Sequence, residues 1–90
     1  MKNKNLEKMF LRDSFISTLR EIAKKDKKII LLTNDQGAPA LDKYVEELPS
    51  QFYNAGISEQ NIIATASGLS IAGYKPYIYI INSFIIYITI

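Results

Sequence analysis

From about Leu11 to Lys25 the apolar residues Phe15, Ile16, Leu19, Ile22 and Ala23 recur at helical spacing. Asp13 and Ser14 stand near the start of this stretch and lysines near its end, the order a helix dipole favours. The pattern predicts a helix over 11–25, preceded by a flexible lysine- and asparagine-rich segment over 1–10. The character then changes. Lys28-Ile29-Ile30-Leu31-Leu32-Thr33 is apolar without alternation and stops at Asn34-Asp35-Gln36-Gly37. Short runs of this kind mark strands buried on both faces, as in parallel sheets. Ala40, Leu41, Tyr44, Val45 and Leu48 outline a second amphipathic helix, closed by Pro49.

Phe52–Ala55 predicts a second strand, ended by Gly56. Ser58 or its neighbour is placed to cap a third helix, with Glu59 in its first turn. Ile62, Ile63, Ala66, Leu69 and Ala72 form its apolar side, and Gly73 closes it. Lys75-Pro76 leads into a third strand over Tyr77–Ile81. Runs and helices alternating in this way predict βα units with right-handed parallel crossovers. The expected fold class is α/β, an open, mostly parallel sheet with flanking helices. Ligands bind such sheets outside the carboxyl ends of the strands, and Asp35 and Glu59 both follow strand ends.

The tail from Pro76 to Ile90 is almost wholly apolar but is interrupted by Asn82, Ser83 and Thr89. It falls short of the about 20 residues a membrane-spanning helix needs, and reads as a buried strand followed by the start of another element. Three parallel strands and three helices are too few to cover both sheet faces. An apolar, adhesive edge is expected at the end of the chain, and residues 11–90 read as the N-terminal part of a longer, truncated domain.

Composition narrows the chemistry. Eleven basic residues balance nine acidic ones, giving a net charge of +2, which argues against nucleic acid or an anionic membrane as partner. The lysines at 24, 25, 27 and 28 read as a solvated helix end around Asp26. Without cysteine there is no disulfide, thiolate nucleophile or zinc ribbon. Without histidine there is no histidine-based triad, so acid–base chemistry falls to Asp, Glu, Lys, Tyr or a cofactor. The polar N-terminus has no apolar core of a signal peptide, so a cytoplasmic location is the default. Neither GxGxxG nor GxxxxGK[ST] is present. By position alone, Glu59 reads first as a carboxylate that stabilises a helix start, and Asp35 reads equally well as a turn-forming residue.

Arg12-Asp13-Ser14-Phe15, Leu32-Thr33-Asn34-Asp35, Phe52-Tyr53-Asn54-Ala55-Gly56-Ile57-Ser58-Glu59-Gln60-Asn61, Ala66-Ser67-Gly68-Leu69-Ser70 and Gly73-Tyr74-Lys75-Pro76, ending in Ser83-Phe84, follow one another in order. The series resembles the pyrimidine-binding domain of transketolase-like thiamine diphosphate enzymes, from about residue 11 to 90. Met1 precedes the domain by only a few residues, as in split transketolases whose second subunit opens with it. Deoxyxylulose phosphate synthase is similar but usually has His where this chain has Asn61. The beta subunits of pyruvate-type dehydrogenases lack the Gln-Asn that follows the acidic residue here.

The resemblance implies a mechanism. The helix-start glutamate, here Glu59, would hydrogen-bond ring nitrogen N1′ of the cofactor's aminopyrimidine and favour the imino tautomer, which takes the proton from thiazolium C2. The cofactor would then act as electron sink for moving a two-carbon ketol unit between sugar phosphates. Phe84 would stack on the pyrimidine, with Tyr87 one turn on completing an aromatic wall, although both also read as ordinary core residues. Asp35 matches an aspartate near the cofactor and the subunit interface. The diphosphate and Mg²⁺ would be held by a separate domain or subunit that carries a Gly-Asp-Gly motif, which is absent here. The implied partner is thus a diphosphate-binding subunit in an oligomer, and these residues alone would be inactive. The alternatives are a non-catalytic interaction module that pairs with such a subunit, a deoxyxylulose phosphate synthase-like enzyme, and a generic flavodoxin-like binding domain.

Overall fold

The computed structural model describes residues 2–34, 39–54, 59–80 and 84–87, with side chains over 13–34, 40–54 and 60–79. Its axis is strand β1, Ile29–Thr33, in which all five residues are buried. Odd and even positions of a strand face opposite sides of a sheet, and each side of β1 meets a helical layer. Ile29 and Leu31 pack with Ile16, Leu19 and Ala23 of helix α1 (Lys2–Lys25) and with Leu41 and Tyr44 of α2 (Pro39–Glu47). Ile30 and Leu32 pack on the other side with Ile62 and Ala66 of α3 (Glu59–Ile71). The run lacks alternation because neither face is wet.

A single 3₁₀ turn, Pro49–Gln51, follows α2 and leads into β2, Phe52–Asn54. Strands β3 (Lys75–Ile80) and β4 (Phe84–Tyr87) complete a sheet of order β2-β1-β3-β4. β1 pairs in parallel with both β2 and β3, while β4 runs antiparallel to β3. The chain steps from β1 to β2 over one face and returns to β3 over the other. Opposite steps over opposite faces give both crossovers the same hand, as the rule for parallel units requires. The fold is therefore α/β, open and mostly parallel, with flanking helices.

Four features bear on these expectations. Helix α1 begins at Lys2, nine residues before the start that the apolar spacing marks at Leu11. Three helices cover both faces of the central strand, α1 and α2 on one and α3 on the other, while Tyr53 and Asn54 of the edge strand β2 stay exposed. The apolar tail returns as an antiparallel strand: β4 pairs Phe84 with Ile80 and Tyr87 with Tyr77. Finally, Ile22, Val45 and Ile63, each read as core-facing, are exposed at 51%, 36% and 40%. Each lies on the rim of its helix's apolar arc, which is wider than the stripe that touches the sheet.

The end of α3 follows the sequence closely. The Tyr74 N–H donates to Leu69 O at 2.9 Å and the Gly73 N–H to Ser70 O at 3.1 Å. This pair of bonds is the Schellman closure, and Gly73 supplies the positive φ of 96° it requires. The chain turns directly into β3, where the Lys75 N–H donates to Lys28 O at 2.8 Å.

Candidate functional site

Strands β1 and β3 are neighbours, and the sheet grows away from them in opposite directions, from β1 to β2 and from β3 to β4. β1 leads to α2 on one face and β2 leads to α3 on the other. A sheet opens a crevice at such a divergence, outside the carboxyl ends of the strands. The register defines which residues lie there. Thr33 stands level with Asn54 of β2 and Tyr79 of β3, the last paired positions of β1, and Asn34 and Ile80 follow them in the chain. Ile80 in turn pairs with Phe84, so Phe84 also belongs to the carboxyl rim.

Glu59 is the first residue of α3, which starts at this rim and runs back along the sheet. A helix start presents free N–H groups and the positive end of the dipole. Tyr87 lies elsewhere. It pairs with Tyr77, level with Leu31 and Phe52, three residues or about 10 Å along the strand from Phe84. The two residues bound an extended strand, so their backbones do not stand one helical turn apart. Asp35 and the capping candidate Ser58 lie outside the described residues.

A further residue at the rim was not singled out from sequence. Asn34 follows Thr33 directly, and its side-chain oxygen Oδ1 is buried without a hydrogen-bond partner. In sequence it stands two positions beyond Leu32, in the even-numbered series whose members Ile30 and Leu32 pack with α3. That alternation was the available signal, but the polar cluster Asn34-Asp35-Gln36-Gly37 read simply as a turn. Thr33 beside it is wholly buried.

The opposite end of the sheet is scaffold. Gln51, 6% exposed, donates from Nε2 to Ala23 O (3.0 Å), Asp26 O (3.1 Å) and Ile29 O (3.0 Å). It thereby ties the end of α1 and the start of β1 to the 3₁₀ turn. The Tyr44 hydroxyl donates to Gln51 O at 3.2 Å, and burial pushes that phenol's pKa far up. Asp26 accepts from Lys75 Nζ at 2.6 Å and from the Lys28 N–H at 3.0 Å, and these two bonds, that of Lys75 first, hold its carboxyl below the usual range. Between α1 and α2, Lys24 Nζ meets Glu47 at 2.7 Å, which lowers the Glu47 pKa and raises that of Lys24. The lysine-rich turn is thus partly neutralised. An open depression of about 380 Å³, lined by Lys27, Lys28, Ala72, Gly73 and Tyr74, also lies at this amino end, remote from the rim.

Among the described residues, no group of three or more His, Cys, Asp or Glu side chains is arranged to hold a metal ion. Among them also, no helix is long and apolar enough to cross a membrane.

Comparison with known proteins places this arrangement in a family. Residues 7–89 match the family model described as the transketolase pyrimidine-binding domain. The chain is 40% identical over 68 residues to a subunit of the apulose-4-phosphate transketolase of Phocaeicola vulgatus, covering 74% of this chain and 22% of that protein. It is 36% identical over 74 residues to 1-deoxy-D-xylulose-5-phosphate synthase of Caldanaerobacter subterraneus, covering 81% and 12%. It is 31% identical over 80 residues to the 6-deoxy-6-sulfo-D-fructose transketolase subunit SqwH of a Clostridium species, covering 88% and 25%. The chain therefore spans a quarter or less of the length of these relatives. No solved structure matches it. With the family model covering nearly every residue of the sheet and its helices, the chain belongs to the transketolase pyrimidine-binding domain family.

Proposed function

We propose that this chain forms the pyrimidine side of a thiamine diphosphate site in a transketolase-like transferase, with Glu59 as its catalytic carboxyl. When bound, that cofactor supplies the electron sink for moving a two-carbon ketol unit between sugar phosphates. Glu59 holds a proton at ring nitrogen N1′, and the rigid start of α3 sets its direction. Phe84, on the same rim, provides a flat apolar bed for the ring. The proposal leaves Tyr87 a supporting place in the sheet, and gives Asp35 a place beside the cofactor.

The observation that carries this reading is the position of Glu59. It opens α3 at the end of the sheet where two connections diverge, in a domain of this family. The residues present fit the ring, since the rim also holds an unpaired buried acceptor at Asn34. Mg²⁺ and the diphosphate belong to a separate domain or subunit. Two of the relatives are named as transketolase subunits, which supports a partner subunit here too.

The test is Glu59→Gln in the complete protein assembled with its diphosphate-binding partner. Glutamine keeps the size of the side chain but cannot share a proton with N1′. Turnover should fall by at least about 100-fold, while the affinity for thiamine diphosphate changes by less than about tenfold. A variant that turns over at the wild-type rate refutes the assignment. A second reading, a deoxyxylulose phosphate synthase-like activity, is favoured by the 36% identity to such an enzyme. The product of the same assay, a transferred ketol unit or a condensed deoxy sugar phosphate, decides between them.

A further inference from the structure

We infer that Asn34 reads the exocyclic amino group of the bound pyrimidine, accepting its N–H at Oδ1. The inference rests on the proposed cofactor site and adds a specificity-determining residue to it. A buried acceptor without a partner is destabilising, so proteins keep few of them. This one stands at the carboxyl end of the central strand, one residue beyond fully buried Thr33, at the rim that also carries the Ile80–Phe84 pair. The same carboxyl rim carries the start of α3, the helix that begins with Glu59.

Chemistry selects the donor. An aminopyrimidine offers N–H groups only at its exocyclic amine, because its neutral ring nitrogens accept. Glu59 serves one ring nitrogen, so a second contact on the amine fixes the ring's rotation in its plane. A site with one anchor would let the ring pivot. Two anchors of opposite sense, a carboxyl and an amide oxygen, specify a ring with both an acceptor and a donor.

The experiment uses the complete protein assembled with its diphosphate-binding partner in the presence of Mg²⁺. Binding is titrated with thiamine diphosphate and with the analogue in which hydrogen replaces the pyrimidine amino group. The wild type should prefer the amino compound by about tenfold or more, the worth of one buried hydrogen bond. Asn34→Ala should lose that preference by weakening only the amino compound. Asn34→Asp, which keeps an acceptor of the same size, should retain it. An Asn34→Ala protein that preserves the preference, or that weakens both compounds equally, overturns the inference. So does a wild type that binds both compounds alike, which leaves the proposed function standing. A wild type that binds neither compound overturns the proposed function and this inference together.

Discussion

Gln51 is the residue on which the amino end of the sheet depends, and its replacement by leucine has a calculable cost. Its Nε2 carries two N–H groups directed at three carbonyl oxygens, those of Ala23, Asp26 and Ile29, at 3.0–3.1 Å. Two of these oxygens keep another donor, since the Asp26 N–H reaches Ala23 O and the Ile29 N–H reaches Asp26 O, each at 3.2 Å. The loss is therefore that of two N–H donors, not of three orphaned carbonyls. At about 1 kcal/mol net per bond, Gln51→Leu should cost about 2 kcal/mol, with volume nearly conserved. Hydrogen–deuterium exchange on the complete protein reads this locally. The amides of Asp26 and Ile29, whose bonds Gln51 buttresses, should exchange about 30-fold faster for that energy. Gln51→Glu should do worse, because it sets a carboxylate oxygen against carbonyl oxygens. Binding of thiamine diphosphate should be unchanged, since the rim lies at the other end of the strands. Exchange within about twofold of wild type in the leucine variant would refute the reasoning.

Four further outcomes follow from the same geometry. Asp26 has its pKa depressed in the fold, by Lys75 first and then by the Lys28 amide. Its contribution is thus present above the ordinary value of 3.8 and lost as pH falls through the lower folded value, and Asp26→Asn should flatten that acid limb in a plot of stability against pH. Gly73→Ala meets no atom within 4 Å of the added Cβ, so only the backbone strain at φ 96° acts, and thermal melts should report a loss of about 1–2 kcal/mol. Ile62→Ala opens a cavity at a fully buried position and should cost about 2–5 kcal/mol in denaturant titrations. Ile71→Ala, at a residue 74% exposed, should cost less than about 0.5 kcal/mol in the same titrations.

Local order along the chain was already written in its residues. The unbroken run Ile29–Thr33 required two covered faces, and it has them. Gly73 had to end a helix, because the closing turn needs a φ that other residues resist. Glu59 was legible as a helix start, and the block around it carried the family likeness that the comparison with known proteins supports. These features depend on neighbours within a few residues, where spacing and steric preference act directly.

Other features depend on which parts meet. The tail of Phe84–Tyr87 has no period to read, and only the open edge of β3 makes it an antiparallel strand, which separates Tyr87 from Phe84. Gln51 looked like any polar turn residue until folding brought carbonyls from 22 to 28 positions away around its amide. Asn34 looked like another, until folding buried its oxygen at the end of β1 and left it without a partner. Sequence by itself determined the elements and the order in which they come. Tertiary structure alone decided which polar groups are shut away from water, because burial is a property of surfaces joined across the chain and not of any residue by itself.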